Sequence, residues 1–153
     1  MNIIMVQHLG NKKTYTFAVP DKFVKYARKG ATLFCDTRRG ISPGVAVTGV
    51  ISGDGAKDIA KRNGATFPLR EIVGVRSLIP MSKIVIHERM SKSIPSGDKI
   101  KKRMDELKKY GAFNTTVTFK DGKLVDGYTA YMVAKMLDMA YMPIMMVADD
   151  EAA

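Results

Sequence analysis

Residues 117–147 constrain the fold most, because signals for strands, a turn and a helix follow one another there without spare residues. The Asp-Gly pair at 121–122 lies between two short apolar-containing runs, and a glycine there takes the positive φ that a tight hairpin turn requires. A helical spacing of apolar residues begins at Tyr128, and the Met-Pro pair at 142–143 is expected to close that helix. Residues 144–147 are then expected to form a short buried strand.

A second Asp-Gly pair, Asp126-Gly127, stands where the returning strand must become a helix. A glycine at that point lets the backbone turn sharply, and the amide N–H groups at a helix start can hold an anion. Together with Tyr128 and Thr129, this pair forms a candidate phosphate- or nucleotide-binding site.

The segment 94–96 (Ile-Pro-Ser) and the run DGYTAYMVAKML at 126–137 together resemble the ParB N-terminal-like family, whose fold is shared with sulfiredoxin. The resemblance covers about residues 82–148 and implies a small α+β domain. Catalytic members carry basic residues after the second glycine, where this chain has Tyr128, Thr129 and Ala130, and the sulfiredoxin cysteine is also missing. These missing residues imply a non-catalytic descendant. Because many phage and mobile-element proteins share the fold, the resemblance also implies an origin of that kind.

Residues 1–80 are expected to form a basic, β-rich segment. Strands are predicted at 3–6, 14–19, 31–36, 44–51 and 69–75, and one or two helical turns at 21–29. Asp54 is expected to cap a helix of about ten residues that turns Ile59 and Ala60 inward. Short strands with Gly and Pro between them predict a small curved sheet or partial barrel, which faintly resembles the small barrel at the start of primosomal helicases.

The second segment, residues 81–148, begins with a predicted strand at 84–88. Ser96 is a good N-cap and Gly111 a good C-cap for a helix at 97–110, whose buried stripe would be Ile100, Met104 and Leu107. Its other face carries Lys99, Lys101, Lys102, Arg103, Lys108 and Lys109, which we interpret as a solvated helix face. The acidic tail, residues 149–153, is expected to be disordered. The fold class expected for the whole chain is α+β.

The chain has a formal net charge of +10, and the charge is unevenly distributed. Residues 1–80 contain 13 Lys and Arg against 5 Asp and Glu, whereas residues 81–153 contain 12 against 10. This asymmetry favours a nucleic-acid partner for the first half, although a basic surface that only aids solubility is the alternative. The candidate contacts are exposed cations in loops and on the predicted helix: Lys12, Lys13, Arg38, Arg39, Lys57, Lys61 and Arg62. Tyr15 and Phe17 share a strand face and could be core or could stack on unpaired bases.

Several function classes lack their residues in this sequence. His8 and His87 have no Ser, Cys or carboxylate partners at a recognisable spacing, and no phosphate-binding glycine motif is present. The single cysteine, Cys35, lies in an apolar run, so we expect a buried thiol and a reducing, cytoplasmic compartment. No apolar run is long enough to span a membrane. We therefore expect no enzyme activity, no cofactor, no metal site and no membrane partner.

Three hypotheses follow from these observations. The first is a non-catalytic nucleic-acid-binding accessory protein whose basic half contacts phosphates. The second is a nucleotide-binding ParB-like protein with residual phosphate chemistry at the helix start after Gly127, and the third is a protein-interaction module. Nine of the eleven methionines lie at or after Met81; they are expected to fill the core, and a homodimer interface is expected if some are exposed.

Overall fold

The computed structural model describes residues 1–151 and divides into two compact units, Met1–Val75 and a second unit that begins at Arg76. The fold class is α+β, as predicted, with four α-helices among the described residues. Each unit has its own hydrophobic core.

The first unit is a six-stranded antiparallel sheet that curls into a half-barrel. Its strands are β1 (Asn2–His8), β2 (Thr14–Ala18), β3 (Thr32–Thr37), β4 (Gly40–Ala46), β5 (Ile51–Ser52) and β6 (Ile72–Val75). The order is β2-β1-β4-β3-β6, with β5 paired to β1. Ala18 of β2 bridges to Glu71, the residue before β6, and its N–H donates to the Arg70 carbonyl at 2.9 Å, so the two edges of the curled sheet meet at this point.

The two faces of this sheet bury different residues, because side chains alternate along each strand. The core face holds the alternating side chains of β1 and β3, namely Ile4, Val6, Leu33 and Cys35, and Phe23 from the 3-10 helix Asp21–Phe23 covers it. On the opposite face, Ile3 packs against Ala56 and Ala60 of helix α1 (Ala56–Arg62). Cys35 is buried, as predicted.

One predicted strand of the first unit is wrong in position. The strand expected at 44–51 is β4, which begins at Gly40 because pairing starts directly after the turn, with Thr37 opposite Gly40. Pro43 is tolerated inside β4 because the β1 register reaches only Gly44, so no β1 partner is lost at the proline.

The helix α1 also differs from its prediction. It is seven residues long, and it starts after Gly55 without a side-chain cap, so Asp54 does not cap it. Ala56 and Ala60 form its buried face, one turn apart, and Ile59 is rotated away from that face and is 36% exposed. Of the two residues expected to point inward, only Ala60 does.

The second unit combines two small sheets with three helices. The strands are β7 (Ser77–Pro80), β8 (Val85–Ile86), β9 (Thr118–Lys120), β10 (Lys123–Asp126), β11 (Tyr141–Ile144) and β12 (Asp149–Glu151), and the helices are α2 (Glu88–Ser91), α3 (Gly97–Tyr110) and α4 (Tyr128–Met136). One sheet has the order β12-β9-β10-β8, and the other pairs β11 with β7.

Local signals account for the best-predicted elements of this unit. Ser96 caps α3, with its Oγ accepting from the Lys99 N–H at 3.3 Å, and Gly111 ends the helix in the left-handed conformation. Ile100, Met104 and Leu107 pack on the core through the predicted face, but they are half-buried and not buried. The hairpin between β9 and β10 turns at the Asp-Gly pair 121–122, where both residues have positive φ.

The last part of the chain departs from the sequence prediction. The strand expected at 144–147 is β11, which already includes the Met-Pro pair at 142–143, and α4 ends earlier, at Met136. β7 is the named strand that pairs with β11, and Phe113 also bridges to Ile144. Pro143 fits in β11 because it takes part there as an acceptor, its carbonyl receiving the Phe113 N–H at 2.9 Å. Residues 149–151, expected to be disordered, form β12 parallel to β9; residues 152 and 153 lie outside the described residues.

The strand expected at 84–88 is also shorter. Only Val85 and Ile86 form β8, because His87 becomes the N-cap of α2, with its Nδ1 accepting from the Arg89 N–H at 3.3 Å.

Candidate nucleic-acid interface

The core face of the half-barrel ends in an aromatic pair, Phe17 and Tyr15, and of the two it is Tyr15 that reaches solvent. Ile4, Val6 and His8 follow one another on this face of β1, and Phe17 and Tyr15 of β2 stand opposite Ile4 and Val6. Phe17 is buried at 6% exposure, whereas Tyr15 is 38% exposed. The two aromatic residues predicted to share a face do so, and the face passes from core to solvent between them.

His8 links the two rings. Its ring centroid lies 5.8 Å from that of Tyr15 and 5.8 Å from that of Phe17. Its Nδ1 lies 3.1 Å from the Pro43 carbonyl oxygen, which can only accept, so this nitrogen is the donor. No motif in the sequence marks His8 as a site residue, although its i, i+2 spacing from Val6 already places it on the core face.

Gly44 makes room for this arrangement. It stands opposite His8 in the β1–β4 register, and an added Cβ would lie 2.5 Å from the Val6 Cγ1 and 3.1 Å from the His8 Nδ1. Such a contact is well inside the ordinary separation of carbon atoms, about 3.5–4.0 Å. A side chain at position 44 would therefore displace Val6, His8 or the strand itself.

Two cationic loops leave the sheet at the same end as the aromatic pair. Lys12 and Lys13 lie between β1 and β2, and Arg38 and Arg39 form the turn between β3 and β4; all four are exposed. Because β1 and β4 are antiparallel neighbours, the end of β1 and the beginning of β4 point to the same end of the sheet. His8 pairs with Gly44, four residues after the arginine turn ends at Gly40. The structure thus brings these four predicted residues to one end of the sheet.

Hydrogen bonds and a ring contact order both loops. The Lys13 Nζ lies 5.4 Å from the Tyr15 ring centroid, a cation–π distance. The Asn11 Oδ1 accepts from the Lys13 N–H at 2.9 Å, and the Asn11 Nδ2 donates to the Tyr15 hydroxyl at 3.4 Å. In the other loop, the Thr37 hydroxyl donates to the Gly40 carbonyl at 2.6 Å and accepts from the Arg39 N–H at 3.3 Å.

The other three predicted contacts lie elsewhere. Lys57, Lys61 and Arg62 are exposed on α1, which packs through its alanines on the opposite face of β1. The Lys57 Nζ lies 5.5 Å from the Phe67 ring centroid on that side. These residues therefore do not share a face with the aromatic pair.

Another group of cations, absent from the sequence prediction, lies at the far end of the core face. It consists of Lys22, Lys25, Arg28 and Lys29, all exposed. The Val19 N–H donates to the Asn2 carbonyl at 2.9 Å, which ties the start of this segment to the first residue of β1, at the end of the sheet away from His8 and Tyr15. The Gly30 N–H donates to the Ala46 carbonyl at 2.8 Å, where the segment joins β4 again. Tyr26 is 37% exposed here, with the Lys25 Nζ 5.1 Å from its ring centroid.

The candidate phosphate site at the start of α4 has a structural explanation. Gly127 has φ +99°, and an added Cβ would lie 3.0 Å from the Val117 Cγ2 and 3.2 Å from the Thr116 carbonyl oxygen. Close packing and backbone conformation are sufficient reasons for a glycine at this position. Its neighbour Asp126 is exposed and Thr129 half-buried, and the Tyr128 ring stacks on that of Tyr131 at 6.3 Å.

The exposed side of α3 carries charges of both signs. A shallow groove there is lined by acidic and basic side chains, including Asp98, Lys101, Lys102, Asp105 and Lys109. Arg103, expected on the outer basic face, instead pairs with Glu106 at 2.6 Å, with both side chains largely buried. The same guanidinium donates to the Asn114 carbonyl at 2.9 Å, so the pair fastens α3 to the following loop.

Reactive groups are scarce in the described part of the chain. Burial raises the pKa of the Cys35 thiol from 9.0 to about 12, so a reactive thiolate is not formed near neutral pH. Within residues 1–151, no three His, Cys, Asp or Glu side chains are grouped so that they could hold a metal ion. Over the same residues, no helix is both long and apolar enough to cross a membrane.

Comparisons with known proteins give no match: no family model matches the chain, and neither does any curated protein or solved structure. The fold and the surface described above define the molecule as an α+β protein whose half-barrel ends in an aromatic and cationic surface.

Proposed function

We propose that this is a non-catalytic nucleic-acid-binding protein that binds at the loop end of its half-barrel. We call this region the loop-end surface; it consists of His8, Lys12, Lys13, Tyr15, Arg38 and Arg39. The observation that carries the proposal is the exposed Tyr15 ring, which lies at the end of the sheet from which two pairs of cations project.

The chemistry of these residues suits a phosphate backbone. Guanidinium groups form two parallel hydrogen bonds with phosphate oxygens, and lysine ammonium groups act as compact point charges beside them. Both pairs stand on loops, which reach outward from a rigid sheet. Small curled β-sheets bind oligonucleotides through their strand faces and adjoining loops, so the fold is compatible with this role.

We do not extend the proposal to nucleotide binding at Gly127. The packing against Val117 and Thr116 already accounts for that glycine, and no basic side chain follows it in the first turn of α4.

The test is fluorescence anisotropy of labelled DNA, single- and double-stranded, at three salt concentrations. We expect affinity to fall steeply with salt, because binding to phosphates releases counterions. The variant carrying Arg38→Glu and Arg39→Glu should bind more weakly, and its salt slope should be smaller by about one for each phosphate that the protein no longer neutralises.

The matched control carries Lys57→Glu and Lys61→Glu, which change the net charge equally but lie on the opposite face of β1. We expect it to retain most of the affinity. If both double variants lose the same affinity, a diffuse basic surface binds and the proposed location is wrong. If the unaltered protein binds no DNA at low salt, the proposed function is wrong.

A further inference from the structure

We propose that the loop-end surface takes single-stranded nucleic acid, with one unpaired base stacked on the Tyr15 ring. This inference rests on the nucleic-acid binding proposed above and adds the class of ligand. The features that support it are the exposure of Tyr15, the rings that pack against Tyr15 and the cation that lies over its ring.

The Tyr15 ring is both accessible and fixed, as a stacking platform must be. It is 38% exposed, and on its inner side His8 contacts both Tyr15 and the buried Phe17. The Asn11 amide at 3.4 Å from its hydroxyl further orients the ring. Little conformational freedom would therefore be lost when a base stacks on it.

A base inside a duplex already has both faces covered by its neighbours, so it cannot stack on a tyrosine without leaving the helix. Unpaired bases in single strands carry no such cost, and aromatic side chains bind them with little regard to sequence. An exposed ring beside cationic loops therefore favours a single strand over a duplex.

Lys13 indicates how the ligand would enter. Its ammonium group lies 5.4 Å from the Tyr15 ring centroid, so one face of the ring is open to a partner and attracts a cation in the free protein. Lys13 is exposed on a loop and can move. We infer that a phosphate draws the ammonium group away and that the adjacent base takes its place over the ring.

The decisive experiment varies the ligand first. The unaltered protein is titrated with a labelled oligothymidine, with the same strand containing abasic sites, and with a duplex of equal length, all at one low salt concentration. We expect the abasic strand to bind at least about five-fold more weakly than oligothymidine, the lower end of what one stacked base contributes. The duplex should also bind more weakly. This comparison needs no variant and is unaffected by any folding defect.

Substitutions of Tyr15 and Tyr26 then test on which ring the base stacks. Tyr15→Leu should lose at least about five-fold in affinity for oligothymidine and lose little for the abasic strand, whereas Tyr15→Phe should retain binding. Tyr26→Leu is the matched control, because Tyr26 has nearly the same exposure and its own lysine over the ring, but lies at the far end of the core face.

The outcomes separate the two proposals. Equal affinity for oligothymidine and the abasic strand, or for single strand and duplex, overturns base stacking and leaves nucleic-acid binding intact. A reduced affinity with Tyr26→Leu instead of Tyr15→Leu overturns the assigned ring. Absence of binding to every DNA at low salt overturns both proposals together.

Discussion

The replacement Gly44→Ala tests the packing that positions the loop-end surface. Gly44 of β4 stands opposite His8, and its added Cβ would lie 2.5 Å from the Val6 Cγ1, 3.1 Å from the His8 Nδ1 and 3.2 Å from the Gln7 carbonyl oxygen. An ordinary carbon–carbon contact of about 3.5–4.0 Å requires the methyl group and Val6 to separate by at least 1 Å.

The Val6 side chain cannot easily move, and this determines how much stability Gly44→Ala should lose. It is fully buried and β-branched, so its side chain has few alternative rotamers. The strands must therefore move apart, and overpacking of this kind costs about 1–3 kcal/mol. For a domain of 60–100 residues, each kcal/mol lowers the melting temperature by about 4–8 °C.

The assay is urea denaturation followed by circular dichroism, with hydrogen exchange to show that the amides whose protection falls lie in β1 and β4. Gly49→Ala is the control, because Gly49 has an ordinary φ and no atom within 4 Å of its added Cβ. Its effect should stay within about 0.5 kcal/mol. Equal stabilities of the two variants would refute the close approach of β4 to Val6 and His8.

Two other predictions concern positions away from the proposed binding surface. Gly127→Ala and Gly111→Ala both place an alanine in the left-handed conformation, which costs about 1–2 kcal/mol. Of the two positions, Gly127 alone also has neighbours inside normal contact distance of the added Cβ, so Gly127→Ala should melt at the lower temperature. The reverse order would contradict the packing described for α4. For Cys35, burial raises the pKa to about 12, so the unfolded chain loses this proton at lower pH than the native state, and stability should fall as pH rises from about 9 towards 12. Urea midpoints of Cys35→Ala should lack this part of the pH dependence, and an unchanged slope would contradict the burial effect.

Local signals in the sequence predict part of this fold well. The bounds of α3 follow from Ser96 and Gly111, and the hairpin at 121–122 follows from two residues that accept positive φ. Both depend on neighbours within a few positions, so the sequence contains the whole cause.

Elements that depend on distant partners were not predictable in this way. β12 consists of three acidic residues with no strand pattern. It forms because the backbone of β9 and of Val117, the residue before it, offers hydrogen-bonding groups: the Asp149 N–H donates to the Val117 carbonyl at 2.9 Å. The position of β11 likewise follows from its pairing with β7, more than sixty residues earlier in the chain. Intrinsic preference is a weak guide where tertiary pairing decides.

The candidate site likewise has one feature that follows from local sequence and one that depends on distant contacts. Alternation along β1 places His8 on the face of Ile4 and Val6, so its side could be predicted from sequence. The point at which that face leaves the core could not, because it depends on how far the packing of Phe17 and its neighbours extends across the curled sheet. For this reason Tyr15 and Phe17 differ in exposure although they alternate on one strand.

Charge counted along the sequence cannot define a binding surface, because side chains on one sheet and its covering helix can point in opposite directions. The seven predicted cations divide into four at the loop end and three on α1, across the sheet from each other. A short nucleic-acid strand with a base stacked on Tyr15 would reach the four cations of the loop end directly. To contact the three cations of α1, the same nucleic-acid strand would have to pass around the edge of the half-barrel. The charge reversals on the two groups should therefore differ in effect for a short strand, and that difference should shrink as the strand becomes long enough to span both.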